Sequence, residues 1–125
     1  MQMREAHFPR QAQIEAYGHG GFRFADMSHR GSLLVLPSGI YAWEATDPAR
    51  INEIALKRLF REEKFPEVFL VGTGRKPHQP AADVRLACAD RGIRLEVMDT
   101  GAAVRTFNVM LAEGRSVGAA LIAVD

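Results

Sequence analysis

Apolar and polar positions alternate differently on the two sides of residue 47. Before it, short apolar runs at 14–17, 22–24, 33–36 and 40–43 are interrupted by Gly18-His19-Gly20-Gly21 and by Pro37-Ser38-Gly39. Glycine supplies the positive φ angles that tight turns need, and proline presets one φ, so both clusters read as turns between strands. The first third is therefore expected to be a meander of about four short strands.

Beyond that point the spacing becomes helical and then alternates. Asp47 offers a capping oxygen and Pro48 suits a first helical position. Ile51, Ile54, Ala55, Leu59 and Phe60 recur at helical spacing, with Arg50, Lys57, Arg61 and Glu62 mainly opposite, which predicts a helix over 48–63 that Pro66 stops. A continuous apolar run predicts a strand over 68–72, buried on both faces. Pro80 opens a helix over 80–91 with Val84, Ala87 and Cys88 inward, and Gly92 ends it. Ile93, Leu95 and Val97 alternate in a strand over 93–98. Asp99-Thr100 caps a helix over 100–113 that carries Ala103, Val104, Phe107, Met110 and Leu111 and stops at Gly114. Residues 117–124 form the last strand. This order predicts an α/β fold with a mainly parallel sheet, right-handed crossovers and packed helices. The β-rich first third either extends that sheet or forms a hairpin layer beside it.

Composition bounds the function more than it names it. A chain of 125 residues, 47% hydrophobic and 25% charged, fits one ordinary globular domain over 1–125. Sixteen basic residues against fifteen acidic ones give a net charge of +1, without the basic stripe of a nucleic-acid binder. The single cysteine excludes an intramolecular disulfide and any CxxC pattern. No run approaches the roughly 18 apolar residues of a membrane span. Residues 1–9 hold Arg4, Glu5 and His7 rather than a signal-type apolar run. A cytoplasmic chain without a transmembrane segment is the expectation.

Candidate chemistry gathers where parallel strands end, because open α/β sheets bind ligands at the carboxyl ends of their strands. Gly72-Thr73-Gly74 and Asp99-Thr100 follow two such ends. With Arg75 and Lys76 beside them, the glycines can cradle an anion on backbone N–H groups. Pro77 stands where a dinucleotide-binding fingerprint needs glycine, so the simpler reading is a tight turn. Asp99 is most simply a cap. Arg105 and Asn108 follow on the same helix, and Arg115 closes it. The candidate ligand- or partner-binding set is thus Gly72, Thr73, Gly74, Arg75, Asp99, Thr100, Arg105, Asn108 and Arg115. Polar side chains satisfying backbone groups explain these positions equally well. The four histidines lack the spacing of a metal site, and Cys88 lies on an apolar face, so no metal, cofactor or catalytic residue is assigned.

Ordered short matches run along nearly the whole chain, from about 14 to 124. They are Ala16-Tyr17-Gly18, Gly20-Gly21-Phe22, Gly31-Ser32-Leu33, Leu36-Pro37 and Trp43 in the first half. In the second they are Gly72-Thr73-Gly74, Glu96-Val97-Met98-Asp99-Thr100, Thr106-Phe107-Asn108, Glu113-Gly114-Arg115 and Ala120-Leu121-Ile122. Together they resemble the family of the mitochondrial complex I assembly factor three and the adipogenesis-associated domain protein, whose bacterial members have no known function. The resemblance implies a three-layer α/β fold with a central mixed sheet and an accessory β-hairpin. It carries over no catalytic residue. The leading expectation is a non-catalytic protein-binding or assembly factor whose partner is another protein, linked to respiratory-complex or membrane-protein biogenesis. The alternative is a small-ligand binder or enzyme using the strand-end crevice near Thr73 and Asp99.

Overall fold

The computed structural model describes residues 8–125. Expectations that fall on residues 1–7 lie outside these. The chain builds two sheets. Strands β1 (Ile14–Gly18), β2 (Gly21–Phe24) and β3 (Met27–Arg30) form an antiparallel three-stranded sheet. Strands β4 (Ser32–Leu36), β5 (Gly39–Trp43), β6 (Val68–Gly72), β7 (Arg94–Met98) and β8 (Val117–Leu121) form a five-stranded sheet in the order β5-β4-β8-β6-β7. The three strands expected to share one sheet do so, with β6 parallel to both β7 and β8.

The larger sheet is mixed rather than mostly parallel. β4 runs antiparallel to β8 and also to β5, the latter because the tight Pro37-Ser38 turn returns the chain at once and only long crossovers produce parallel pairs. The N-terminal third thus does both things left open by the sequence: β4 and β5 extend the main sheet, and β1 to β3 form a layer of their own.

The core lies on both faces of the five-stranded sheet. On one face Leu33, Val35, Val68, Leu70, Val117, Ala119 and Leu121 pack against helix α3 (Thr100–Ala112), through Ala103, Val104, Phe107 and Met110, and against Ile14, Phe22 and Phe24 of the small sheet. On the other, Leu34, Leu36, Phe69, Val71, Ala120 and Ile122 meet Ile51, Leu56 and Leu59 together with Val84 and Cys88 of helix α2 (Ala82–Asp90). The side chains of β4, β6 and β8 are buried along their whole length, which explains their unbroken apolar runs.

Two local expectations give way. The helix over 48–63 is instead a 3-10 turn, Pro48–Arg50, and after further turns a single-turn α1, Lys57–Phe60. Ile51 is extended (ψ 107°), and its carbonyl accepts from the Ala81 N–H at 2.9 Å, so a tertiary bond takes the group a helix would need. Asn52 then accepts from the Ala55 N–H at 2.8 Å and starts a new turn. Ile54, assigned to the apolar stripe, is 74% exposed, while Leu56 is fully buried. The strand β3 was not expected either. It follows β2 through a two-residue turn of Ala25 and Asp26, both at positive φ (50° and 60°), a conformation usually signalled by glycine or asparagine. The last two helices match closely: Asp99 accepts from the Ala102 N–H at 2.8 Å as N-cap of α3, and Gly92 and Gly114 leave α2 and α3 at φ 70° and 74°.

Candidate functional site

Parallel pairing in register sets the ends of β6 and β7 side by side, Gly72 opposite Met98. The two candidate loops therefore meet, and their polar groups bond to each other. The Thr73 N–H donates to the Met98 carbonyl at 2.9 Å, and its hydroxyl donates to the Lys76 carbonyl at 2.6 Å. The Thr100 N–H donates to the Gly74 carbonyl at 2.8 Å, and the Gly74 N–H returns a bond to the Thr100 hydroxyl at 2.9 Å. That hydroxyl donates in turn to the Ile122 carbonyl at 2.7 Å. Thr100 is fully buried and Thr73 nearly so. One hydroxyl thus ties the start of α3 to the loop after β6 and to the segment after β8. Gly72 has its own reason. A side-chain carbon there would stand 3.0 Å from Ala103 Cβ and 3.0 Å from Thr100 Cα, so only glycine lets α3 lie this close to β6.

The other candidates are spread along α3 and do not join this cluster. Asn108 faces β1: its Oδ1 accepts from the Ile14 N–H at 2.8 Å and its Nδ2 donates to the Ile14 carbonyl at 2.9 Å. The side-chain amide imitates a strand partner and pins the small sheet to the helix. Arg105 is exposed beside Gly101, where a side-chain carbon would lie 3.4 Å from its Nη1 and would collide with the Tyr17 hydroxyl. Arg115 borders a small hollow of about 160 Å3 with Val68, Leu70, Arg94, Glu96, Met98, Thr106 and Met110, beside the outer edge of β7.

Beyond the two threonines lies an open crevice of about 420 Å3, lined by Thr46, Pro48, Thr73, Gly74, Arg75, Lys76, Pro77 and His78 on one side and by Ile122, Ala123, Val124 and Asp125 on the other. Of the candidate set, Thr73, Gly74 and Arg75 line it, and Asp99, Thr100 and Arg105 do not. Lys76, named beside the glycines as an anion-cradling charge, lines it too; His78 sits in a loop with no motif, and the segment after β8 reads as strand. Among the described residues no group of three or more histidine, cysteine, aspartate or glutamate side chains is placed to hold a metal ion, and no helix is long and apolar enough to cross a membrane. Burial pushes the Cys88 thiol up from its ordinary range, with the charges of Arg91 and Arg85 opposing, so it lacks the thiolate character of a nucleophile.

Comparison with known proteins gives this geometry its context. Over 118 residues, 94% of the chain, it is 34% identical to NADH dehydrogenase [ubiquinone] 1 alpha subcomplex assembly factor 3 of Mus musculus and covers 64% of that protein. The chain thus spans a little under two thirds of that relative. An uncharacterized protein of Rhodobacter capsulatus is also 34% identical, over 98% of this chain and 93% of its own. Among solved structures, an outer membrane protein from Bartonella henselae superposes with a TM-score of 0.90 at 50% identity, over 95% of this chain and all of the other. Residues 14–122 match the model of one family, from the first strand of the small sheet to the segment that Thr100 holds, and the chain belongs to that family, the proteins of unknown function DUF498/DUF598.

Proposed function

We propose that this chain is a non-catalytic, protein-binding assembly factor of the cytoplasm that serves the biogenesis of an NADH dehydrogenase-type respiratory complex. The observation that carries the reading is the orientation of the polar residues at the strand ends and on α3. Thr73, Asp99, Thr100 and Asn108 each spend their side chains on backbone groups of this same chain. They build a scaffold and present a surface. Kinship with an assembly factor over 94% of the chain supports a protein as the partner.

A second reading is favoured by the crevice, where Arg75 and Lys76 give a cationic wall, facing Asp125, to a volume within the range of small-ligand sites. In that case the chain binds a small anion. Purification of a tagged chain from membranes solubilised in mild detergent separates the two. Recovery of NADH dehydrogenase subunits in near-stoichiometric amount supports assembly. Their absence, combined with a saturable thermal shift in inorganic phosphate that disappears in Arg75→Ala, replaces it with the second reading.

A further inference from the structure

The outer face of the three-stranded sheet carries a hollow of about 480 Å3 whose lining includes His19, Arg23 and Arg30. Register explains its shape. Gly18 pairs with Gly21 and Ala16 with Arg23 across β1 and β2, while Arg30 pairs with Gly21 and Ser28 with Arg23 across β2 and β3. Directly paired residues point to the same side of a sheet. One face therefore has a floor of Gly18, Gly21 and Ala16, with Arg23 and Arg30 at diagonal positions upon it. The opposite face carries Phe22 and Phe24 into the core. Nothing stands within 4 Å of where a side-chain carbon at Gly18 would lie, so the floor is open there, whereas at buried Gly21 the His29 carbonyl fills that place.

The face carries the positive charges of Arg23 and Arg30. Arg23 Nη1 donates to Ser28 Oγ at 3.1 Å, which steadies one guanidinium. Among the described residues no carboxylate lines the hollow. Among the described residues the ion pairs are Arg50–Asp47 and Arg94–Glu96, so neither arginine here belongs to one. Glu15, the acid of β1, sits where the register shifts, and its carboxylate accepts instead from the Asp26 N–H at 3.3 Å.

We propose that this face receives an extended acidic segment of a partner protein, two of whose carboxylates, two residues apart, pair with Arg23 and Arg30. The proposal rests on the protein-binding reading above and adds the chemistry of the partner. Diagonal cross-strand positions stand roughly 7–8 Å apart. In an extended chain, side chains at i and i+2 share a side and are about 6.6–6.8 Å apart. The spacings agree, and each planar guanidinium takes a carboxylate through two parallel hydrogen bonds. The open side of Gly18 lets another backbone approach closely there.

The test uses the purified chain and two fluorescent octapeptides of equal charge, one with glutamates at i and i+2 and one with the glutamates adjacent, read by anisotropy at low salt. The alternating peptide is expected to bind roughly tenfold more tightly than the contiguous one. Arg23→Gln with Arg30→Gln is expected to remove that preference with the melting temperature unchanged, since both residues are exposed. Equal binding of the two peptides, an unchanged preference in the double variant, or complete displacement by millimolar inorganic phosphate would overturn the site. If the double variant still recovers respiratory-complex subunits as the wild type does, this face is overturned and the assembly role stands. If the peptide preference holds while those subunits are never recovered, the face stands and the assembly role falls.

Discussion

Thr100 and Asn108 show how single side chains hold this molecule together. The Thr100 hydroxyl is buried with a donor and an acceptor duty, toward the Ile122 carbonyl and from the Gly74 N–H. Replacing it by the isosteric valine leaves both backbone groups unsatisfied, at about 1–3 kcal/mol for each such group. Thr100→Val is therefore expected to lower the urea midpoint by an amount worth at least about 2 kcal/mol, and Thr100→Ser to keep most of the stability. Asn108 poses a sharper test because its two bonds run in opposite senses. Asn108→Asp keeps the acceptor for the Ile14 N–H and sets a second acceptor against the Ile14 carbonyl. It is expected to cost on the order of 2 kcal/mol and to speed amide hydrogen exchange in β1 before α3; equal protection of β1 in the variant counts against the clamp. Cys88 gives a pH test. Burial raises its folded pKa above the unfolded value, so its contribution is full below about pH 8.5 and is lost as pH rises through the folded value. Chemical denaturation of wild type and Cys88→Ala should show the wild type losing more stability between pH 7 and pH 10. Parallel loss in both places the dependence elsewhere.

At the level of elements, turns decide what the chain announces and what it conceals. The β1–β2 connection has His19 and Gly20 at φ 52° and 80° between the paired Gly18 and Gly21, and its glycines marked it in advance. The β2–β3 connection has the same two-residue form in Ala25 and Asp26, with no glycine, and so β3 was invisible. A left-handed conformation costs a residue with a Cβ about 1–2 kcal/mol, partly offset by the lower backbone entropy loss of alanine. Ala25→Gly is accordingly expected to stabilise the protein by about 0.5–1 kcal/mol, read as a higher midpoint with unchanged slope; a lower midpoint would show that the turn is not strained. The helices were legible in proportion to how far local signals acted alone. α3 has its Asp99 cap, an apolar stripe and Gly114, and all three operate. The segment after Pro48 has a cap and a stripe as well, yet the bonds from Ala81 to Ile51 and from Glu53 to Asp83 hold it against α2 and interrupt the helix. A contact across some thirty residues leaves no trace in local periodicity. The strand-end loops were legible because parallel topology alone brings them together. The destination of Asn108 was not, since its partner lies 94 residues away.

At the scale of the whole molecule, the threonines at one end of the larger sheet bond to the chain's own backbone beside an open crevice, while the exposed face of the small sheet carries Arg23 and Arg30, which form no ion pair among the described residues. With a net charge of only +1, the field of the chain is set by such local patches rather than by an overall excess of one sign. Its kinship with a protein named for assembly of the NADH dehydrogenase alpha subcomplex sets the most direct measurement. The gene for this chain is deleted in the organism that encodes it, and assembled NADH dehydrogenase is quantified in solubilised membranes on native gels, with subunit synthesis followed by pulse labelling. The expected result is a fall in the assembled complex at unchanged subunit synthesis, reversed when the wild-type chain is supplied in trans. Unchanged assembled complex in the deletion strain would contradict an assembly role.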